Sequence, residues 1–415
     1  MREVDIVVIG GGPSGLIAAR TVAEKGKEVV LYESKDQIGV HEHCAGLLSI
    51  DGLEQLQLSH LPPEVVQNAQ VKGTIIFSPS GQTLFISKKK PTALVVNRAK
   101  FNQFLFQEAL DKGVSVKTSS RIIGIHRETN SIVLKMGKKA PSQSIKCNIT
   151  ILAEGRFPRL NKQVNLPVPS RKSIVFSSMY IMKNLRDIDP EFVEVYQDQK
   201  YAPGFFAWII PLNDKIAKVG LASNTVPSGD FLKSFIKNHP IAKKKLENAV
   251  IDKKMSGAIP LGSYIRKTYA DNVLIVGDAA GQIKPTTGGG VIFGGIAAQI
   301  AGKVASDAVT DEKYNSQYLS RYQKLWKKEL KQNLKVMKLI RSYIDSLSTK
   351  DLNRLFILLN KPRIRNEISE SGDIDNQKTI VFNLLMNLSL WPILLSTGLK
   401  FLLKKKKRRN ERCLL

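Results

Sequence analysis

The chain has 415 residues, 43% of them hydrophobic, with 63 Lys and Arg against 36 Asp and Glu, for a formal net charge of +27. That length can bury a large core and points to two or three domains. The three cysteines, Cys44, Cys147 and Cys413, are too scattered for a disulfide framework or a zinc site and too few for a four-cysteine iron–sulfur cluster.

In chain order, the first signal is an apolar run, Val4, Ile6, Val7, Val8 and Ile9, bounded by glycines. It reads as a strand buried on both faces of a parallel sheet. Asp5 inside the run argues against a secretory signal. Gly10, Gly12 and Gly15 follow in the sequence GGGPSG. Such glycines allow a tight turn, close approach of the backbone to a pyrophosphate, and close packing of helix on strand. A helix starting near Pro13 and Ser14 would place the phosphates on its N-terminus, where free N–H groups and the dipole favour negative charge. A second strand, Glu28 to Tyr32, ends in Glu33, which stands where an acceptor for a ribose hydroxyl is needed. Thr74 to Phe77 and Thr83 to Ile86 flank Ser78-Pro79-Ser80-Gly81 and read as a hairpin. Ser173 to Ile181, Phe205 to Ile210 and Ile216 to Leu221 would extend the same antiparallel sheet. Alternation along Phe205 to Ile210 puts Phe206, Trp208 and Ile210 on one face.

Asn272 to Val276 reads as another buried strand, and VGDAAG at Val276 to Gly281 leaves Asp278 at its carboxyl end, where ligands bind in open α/β sheets. Pro285, Thr286, Thr287 and Gly288, Gly289 and Gly290 form a loop able to lay backbone N–H groups against a flat ring, ahead of a helix over Val291 to Val304. GGGPSG says that a dinucleotide binds; with VGDAAG it says that the dinucleotide is a flavin, FAD. Arg321 to Leu347 reads as a basic amphipathic helix whose stripe of Trp326, Leu330, Leu334, Met337, Ile340 and Ile344 packs on the flavin domain. Val381 to Leu399 holds no charge and includes Trp391 and Pro392; Phe401 to Leu403 and the basic run Lys404 to Arg409 follow. About twenty apolar residues are needed to span a bilayer. Asn383, Asn387, Ser389 and Pro392 instead favour a helix lying on or half inserted into an anionic membrane surface, held by its basic cluster. Cys413 does not fit the four-residue prenylation pattern. No recognition module accompanies the charge, so nucleic acid is not expected as a partner, nor is a metal.

GGGPSG, the middle segment NRAKFNQFL with Arg98, the segment Ala153-Glu154-Gly155 and the late GDAAG together resemble the flavoprotein group that contains p-hydroxybenzoate hydroxylase. Within it, His43-Cys44-Ala45-Gly46, Phe206-x-Trp208-x-Ile210-Pro211 and Pro285 through Gly290 resemble the geranylgeranyl reductase family, particularly the archaeal digeranylgeranylglycerophospholipid reductases. The resemblance runs from about residue 1 to residue 304. There are departures. The family's tryptophan motif usually reads Tyr-x-Trp-x-Phe-Pro, whereas Phe206 and Ile210 stand here and a phenol donor is lost. Glu154 replaces the wider group's usual aspartate and Pro158 a serine, so no nicotinamide role is carried over for that segment.

The element placements and the resemblance together imply an α/β protein: a Rossmann-like FAD-binding domain (residues 1–70, 95–160 and 270–310) and an inserted antiparallel-sheet substrate domain (71–94 and 161–269); beyond the resemblance, the residues themselves predict a helical C-terminal region (311–378) and a membrane-associating tail (379–415). The resemblance implies hydrogenation of isolated double bonds in polyprenyl chains, on the cytoplasmic side of the cell membrane. FAD would be held by Gly10, Gly12, Pro13, Ser14, Gly15, Glu33, Cys44, Ala45, Arg98, Asp278 and Gly288 to Gly290. Phe206, Trp208, Ile210, Pro211 and Pro285 would line the substrate pocket. Cys44 matches the family's pocket cysteine; a thiol ordinarily stays protonated at neutral pH and could donate or relay a proton, with His41 and His43 as alternative acids. The chain has no second glycine fingerprint for a nicotinamide domain, so NAD(P)H docking transiently or reduced ferredoxin would supply electrons. A flavin monooxygenase or halogenase on the same fold, and a membrane-associated electron carrier, are the competing readings.

Overall fold

The computed structural model describes residues 2–40, 44–137, 144–387, 390–393 and 395–398. The chain opens with β1 (Arg2–Ile9), α1 (Pro13–Glu24) and β2 (Val29–Tyr32), a first βαβ unit. An excursion follows through β3 (Leu47–Ser49), α2 (Ile50–Gln55), β4 (Val66–Val71), the hairpin β5 (Gly73–Phe77) and β6 (Thr83–Ser87), and β7 (Ala93–Val96). Then come α3 (Arg98–Asp111), β8 (Ser115–Lys117), β9 (Ile122–Arg127), β10 (Ile132–Met136) and β11 (Ser144–Leu152). The middle of the chain holds β12 (Ile174–Lys183), β13 (Phe192–Tyr196), β14 (Ala207–Pro211), β15 (Ile216–Ser223), α4 (Ser228–Asn238), α5 (Ala242–Leu246) and β16 (Val250–Pro260). The last strands, β17 (Tyr269–Ala270) and β18 (Val273–Ile275), lead into α6 (Val291–Thr310), α7 (Ser316–Ile344), α8 (Thr349–Leu359), α9 (Pro362–Ser371) and α10 (Gln377–Met386).

Among the described residues these strands form two large sheets. In the first, β18, β11, β1, β2 and β8 run parallel in that order. Val7, Val8 and Ile149 are fully buried, as continuous apolar strands between two layers must be. The helices α1, α3, α6 and α7 cover one face and bury Leu16, Phe101, Phe293 and Trp326 against it. The second sheet is antiparallel over most of its width, in the order β16-β12-β15-β14-β13-β5-β6, with β5 and β13 parallel. One of its faces packs on α4 and α5 around Phe235 and Tyr196; the other carries Met179, Trp208 and Ile210. A small sheet, β3-β7-β4, lies between the two in sequence.

Three departures from the sequence reading have physical causes. β16 went unforeseen because an edge strand carrying Asp252, Lys253 and Lys254 in exposed positions lacks the apolar alternation that marks a half-buried one; charges on an edge also guard it against foreign pairing. Helix α7 begins upstream of Arg321 because the Asn315 side chain accepts from Tyr318 N at 2.9 Å and caps it. The apolar stretch from Val381 is not one helix: α10 and a second helical piece, Trp391–Gly398, meet at 98°. Among the described residues no single helix is long and apolar enough to cross a membrane. Lys404 to Arg409 and Cys413 lie outside the described residues.

Candidate functional site

Strands β1, β11 and β18 run side by side with Ile9 opposite Leu152 and Leu152 opposite Ile275. Their carboxyl ends therefore align, and GGGPSG, Ala153-Glu154-Gly155 and VGDAAG leave the same edge of the sheet, where parallel sheets bind ligands. Gly10 has φ +114, and a Cβ there would stand 2.3 Å from the Ala153 carbonyl oxygen. At Gly15 a Cβ would stand 1.8 Å from the Gly10 oxygen, so helix and strand touch through bare backbone. Gly12, the residue before α1, has no atom within 4 Å of a Cβ position and no side-chain cap on the helix. Pro13 opens α1 and supplies no N–H of its own. The result is an uncapped helix N-terminus facing open space, which fits a pyrophosphate.

Ser14 ties this loop to the distant one. Its hydroxyl oxygen lies 2.5 Å from where a Cβ on Gly277 would stand and 2.6 Å from one on Gly294. The two motifs close on each other only because both positions lack side chains. The Glu33 carboxylate accepts from Gly11 N at 2.6 Å and from Lys35 N at 2.9 Å, which holds it at the rim of the glycine loop.

Asp278 opens a short 3-10 turn after β18. Burial pushes its carboxyl above the ordinary value, with Arg156 and then Arg98 opposing. Arg98, 8% exposed, is the first residue of α3 and lies over the Phe101 ring at 5.3 Å. Sequence reasoning missed three supports of this turn. Gln282 accepts from Gly277 N at 2.8 Å; its amide reaches the Tyr322 hydroxyl at 2.9 Å; and Asn161 donates to the Ala279 carbonyl at 3.2 Å. Polar residues fully buried beside a glycine turn were the available signal. Glu154 is a local cap: its carboxylate accepts from Leu160 N at 2.9 Å and from Arg159 N. The loop before α6 closes on itself, Gly288 N donating to Lys284 O at 2.8 Å and Lys284 N to Gly289 O at 3.0 Å. Gly290 then precedes α6 with no side-chain cap, and a Cβ there would stand 2.8 Å from Asp278 Oδ1.

A cavity of about 540 Å³ lies beside the loop before α6. Cys44, Ala45 and Gly46 form one part of its wall, Thr287, Gly288 and Gly289 another, and Phe206, Trp208 and Ile210 a third. Phe205 lines it too. The expected alternation fails there because β14 starts only at Ala207, so Phe205 and Phe206 precede the pleat and stack on each other, with centroids 4.1 Å apart. The Phe206 ring meets Trp208 edge-on at 6.0 Å. Pro211 and Pro285 are buried but lie off the cavity wall. Pro211 ends β14 and accepts from the Asn68 amide at 3.0 Å.

Cys44 is exposed, whereas Cys147 is sealed in β11, where burial pushes its thiol up to about 12. Of these two cysteines, Cys44 alone faces the cavity. His41 and His43 lie outside the described residues. Lys218, fully buried on β15, donates to Val96 O at 3.0 Å, with its Nζ 3.2 Å from where a Cβ on Gly46 would stand. It ties the Cys44 turn to the second sheet, and nothing in its local sequence marks it.

The fold and the aligned glycine turns define an FAD-binding flavoprotein: a family model described as an FAD binding domain matches residues 3–296. The digeranylgeranylglycerophospholipid reductase of Methanocaldococcus jannaschii is 35% identical over 302 residues, covering 70% of this chain and 75% of the relative. A digeranylgeranylglycerophospholipid reductase of Methanothermobacter thermautotrophicus is 31% identical, covering 71% of this chain and 75% of the relative. The chain belongs to the digeranylgeranylglycerophospholipid reductase family. In fold it resembles a geranylgeranyl bacteriochlorophyll reductase-like protein of Thermoplasma acidophilum, with a TM-score of 0.84 at 23% identity, over 96% of this chain and 100% of that one.

Proposed function

We propose that the protein is an FAD-dependent reductase that hydrogenates isolated double bonds of geranylgeranyl chains in membrane lipid precursors. The observation that carries this is the largely apolar cavity walled by Thr286 to Gly289 of the loop before α6, by the Cys44 turn and by Phe205, Phe206 and Trp208. Bound FAD would supply hydride from its reduced ring. The residues to hold it are Gly10, Gly12, Ser14 and Gly15 for the phosphates, Glu33 for a ribose, and Asp278 with Gly288 to Gly290 beside the ring.

An unactivated alkene has no carbonyl to polarise, so the protein's part is to orient one bond, exclude water and place a proton. The aromatic wall serves the first two tasks. Cys44, with an exposed thiol on the cavity, serves the third. The apolar exposure of Phe382 (65%), Leu385 (51%), Met386 (68%) and Leu395 (65%), followed in sequence by Lys404 to Arg409, supports residence on the cytoplasmic face of an anionic membrane.

Anaerobic incubation of reduced enzyme with a geranylgeranylated lipid, followed by mass spectrometry, tests the reading. Mass is expected to rise by two hydrogens for each bond saturated. Supplying NAD(P)H and reduced ferredoxin in separate arms identifies the donor. A product that has gained oxygen in air, or electrons passed to a quinone with the prenyl chain untouched, would sink the proposal. Cys44→Ser is expected to lower turnover at least about tenfold with FAD still bound, in line with the loss of a positioned acid. Unchanged turnover would remove Cys44 from the mechanism.

A further inference from the structure

Arg341 occupies the buried stripe of α7, in line with Leu330, Leu334 and Met337, and is 9% exposed. A cation at a position that packing reserves for apolar side chains is costly unless it is paired and hydrogen-bonded. It is held on three sides. Its Nε donates to Asp345 Oδ2 at 3.0 Å, its Nη2 donates to the Gly204 carbonyl, and its guanidinium lies 4.6 Å over the Phe205 ring. A guanidinium carries five N–H donors; these two hydrogen bonds do not exhaust them, and Arg341 lines the cavity.

A chain of ring contacts connects this cation to Trp208. Arg341 stacks on Phe205, Phe205 on Phe206, and Phe206 meets Trp208. Asp345, 38% exposed, marks the Arg341 end as close to the surface. The cavity's other buried cation, Lys284, belongs to the loop before α6 and is paired with Asp375 at 2.5 Å. A single ligand in the cavity therefore meets a planar fork of donors at Arg341, aromatic surface at Phe205, Phe206 and Trp208, and the loop of Thr286 to Gly289 elsewhere on the wall. The fork matches the oxygens of a phosphate group.

We infer that Arg341 anchors the phosphate or diphosphate head of the prenylated substrate, so that the chain is threaded tail-first along Phe205, Phe206 and Trp208 toward the glycine loop. This rests on the prenyl reductase reading above and extends it to the substrate's polar end. Asp345 offsets part of the cation's charge, which limits affinity for an anion alone and leaves the chain to supply the rest.

The test uses FAD-loaded protein and measures binding rather than turnover. Geranylgeranyl diphosphate and geranylgeraniol are titrated calorimetrically into wild type, Arg341→Gln, Arg341→Lys and Asp345→Asn. Arg341→Gln is expected to weaken the diphosphate by about 10- to 100-fold, the range for a charged hydrogen bond, and to leave the alcohol within about twofold. Lysine should restore part of the loss. Asp345→Asn, which removes the competing carboxylate and keeps the cation, should tighten the diphosphate alone, so the inference stays testable if the Arg341 variants fold poorly. Inorganic diphosphate that competes in wild type but not in Arg341→Gln would show that the site takes the free anion as well; failure to compete would restrict it to the lipid head. Equal losses for diphosphate and alcohol, or none for either, would overturn the inference and make Arg341 a tie between α7 and the Gly204 loop. If wild type binds neither prenyl compound, the prenyl reading itself fails.

Discussion

At the scale of single residues, the site is built from side chains that are missing and charges that are buried. Gly10, Gly15, Gly277 and Gly294 each lie where a methyl group would collide with backbone or with Ser14, and no propensity argument would distinguish them from ordinary turn glycines. Asp278 shows the cost of a prepared site. Its folded pKa is raised above the ordinary 3.8, chiefly by burial. Its contribution to stability is therefore full below that ordinary value and is lost as pH rises through the raised folded value. In FAD-free protein, Asp278→Asn is expected to raise the melting temperature by a few degrees at neutral pH, with the gain fading below about pH 4. Melting curves across that range measure it. A lower melting temperature at neutral pH would mean that Arg98 and Arg156 outweigh burial. Asp278 was legible in the sequence because it follows a buried strand and a glycine. Arg341 was not, because only the docking of α7 makes its position a cavity wall.

At the scale of elements, neighbouring strands set the aromatic wall. Trp208 on β14 lies over Gly220 on β15, where a Cβ would stand 2.7 Å from the indole. Gly220→Ala should tilt the indole into the cavity and cost about 1–3 kcal/mol by overpacking. FAD affinity should stay near wild type while prenyl turnover falls, which fluorescence titration and product analysis would separate. Loss of FAD with turnover would show that the two sheets do not tolerate independent change. The helix α3 offers a cleaner local case. Asn97 accepts from Ala99 N at 3.0 Å and Lys100 N at 3.1 Å, so Asn97→Ala should cost about 1 kcal/mol in chemical denaturation. Element existence was legible in β5, β6, β12 and β15, whereas β7, β10 and β13, also partly buried, were not read because their short apolar runs cannot be assigned by periodicity alone. Boundaries were set by caps and neighbours, which is why α7 starts at Ser316 and Phe205 precedes its strand.

At the scale of the whole molecule, FAD is expected to act as the clasp between distant parts of the chain. GGGPSG and VGDAAG meet at Ser14, so a ligand bound across them stabilises both at once. FAD at about a hundredfold over its dissociation constant should add about 2.7 kcal/mol, seen as a higher melting temperature with a single transition. Two resolved transitions, one insensitive to FAD, would mean that the sheets unfold separately. The C-terminal region also closes on the site. Asp375 pairs with Lys284 of the glycine loop and receives the Ser49 hydroxyl, and Ile374 and Ile380 line the cavity. Beyond them α10 turns Phe382, Leu385 and Met386 outward. Replacing these three with serine is expected to reduce co-sedimentation with anionic vesicles and to spare reduction of a detergent-dispersed substrate. Undiminished sedimentation would remove α10 from membrane contact.

The sequence by itself determined what depends on short range: that a buried strand, a glycine turn and a helix would cradle a dinucleotide, and that a second such turn would serve a flavin; Cys44 and Trp208 were placed with them by the family resemblance. Backbone geometry and burial are local requirements, and residue types record them directly. Tertiary structure alone decided which side chains meet around the cavity, namely Arg341 on Phe205, Lys218 behind Gly46 and Lys284 with Asp375. Those meetings depend on how helices and sheets dock, and docking is a sum of many weak contacts between residues far apart in the chain, none of which leaves a motif of its own.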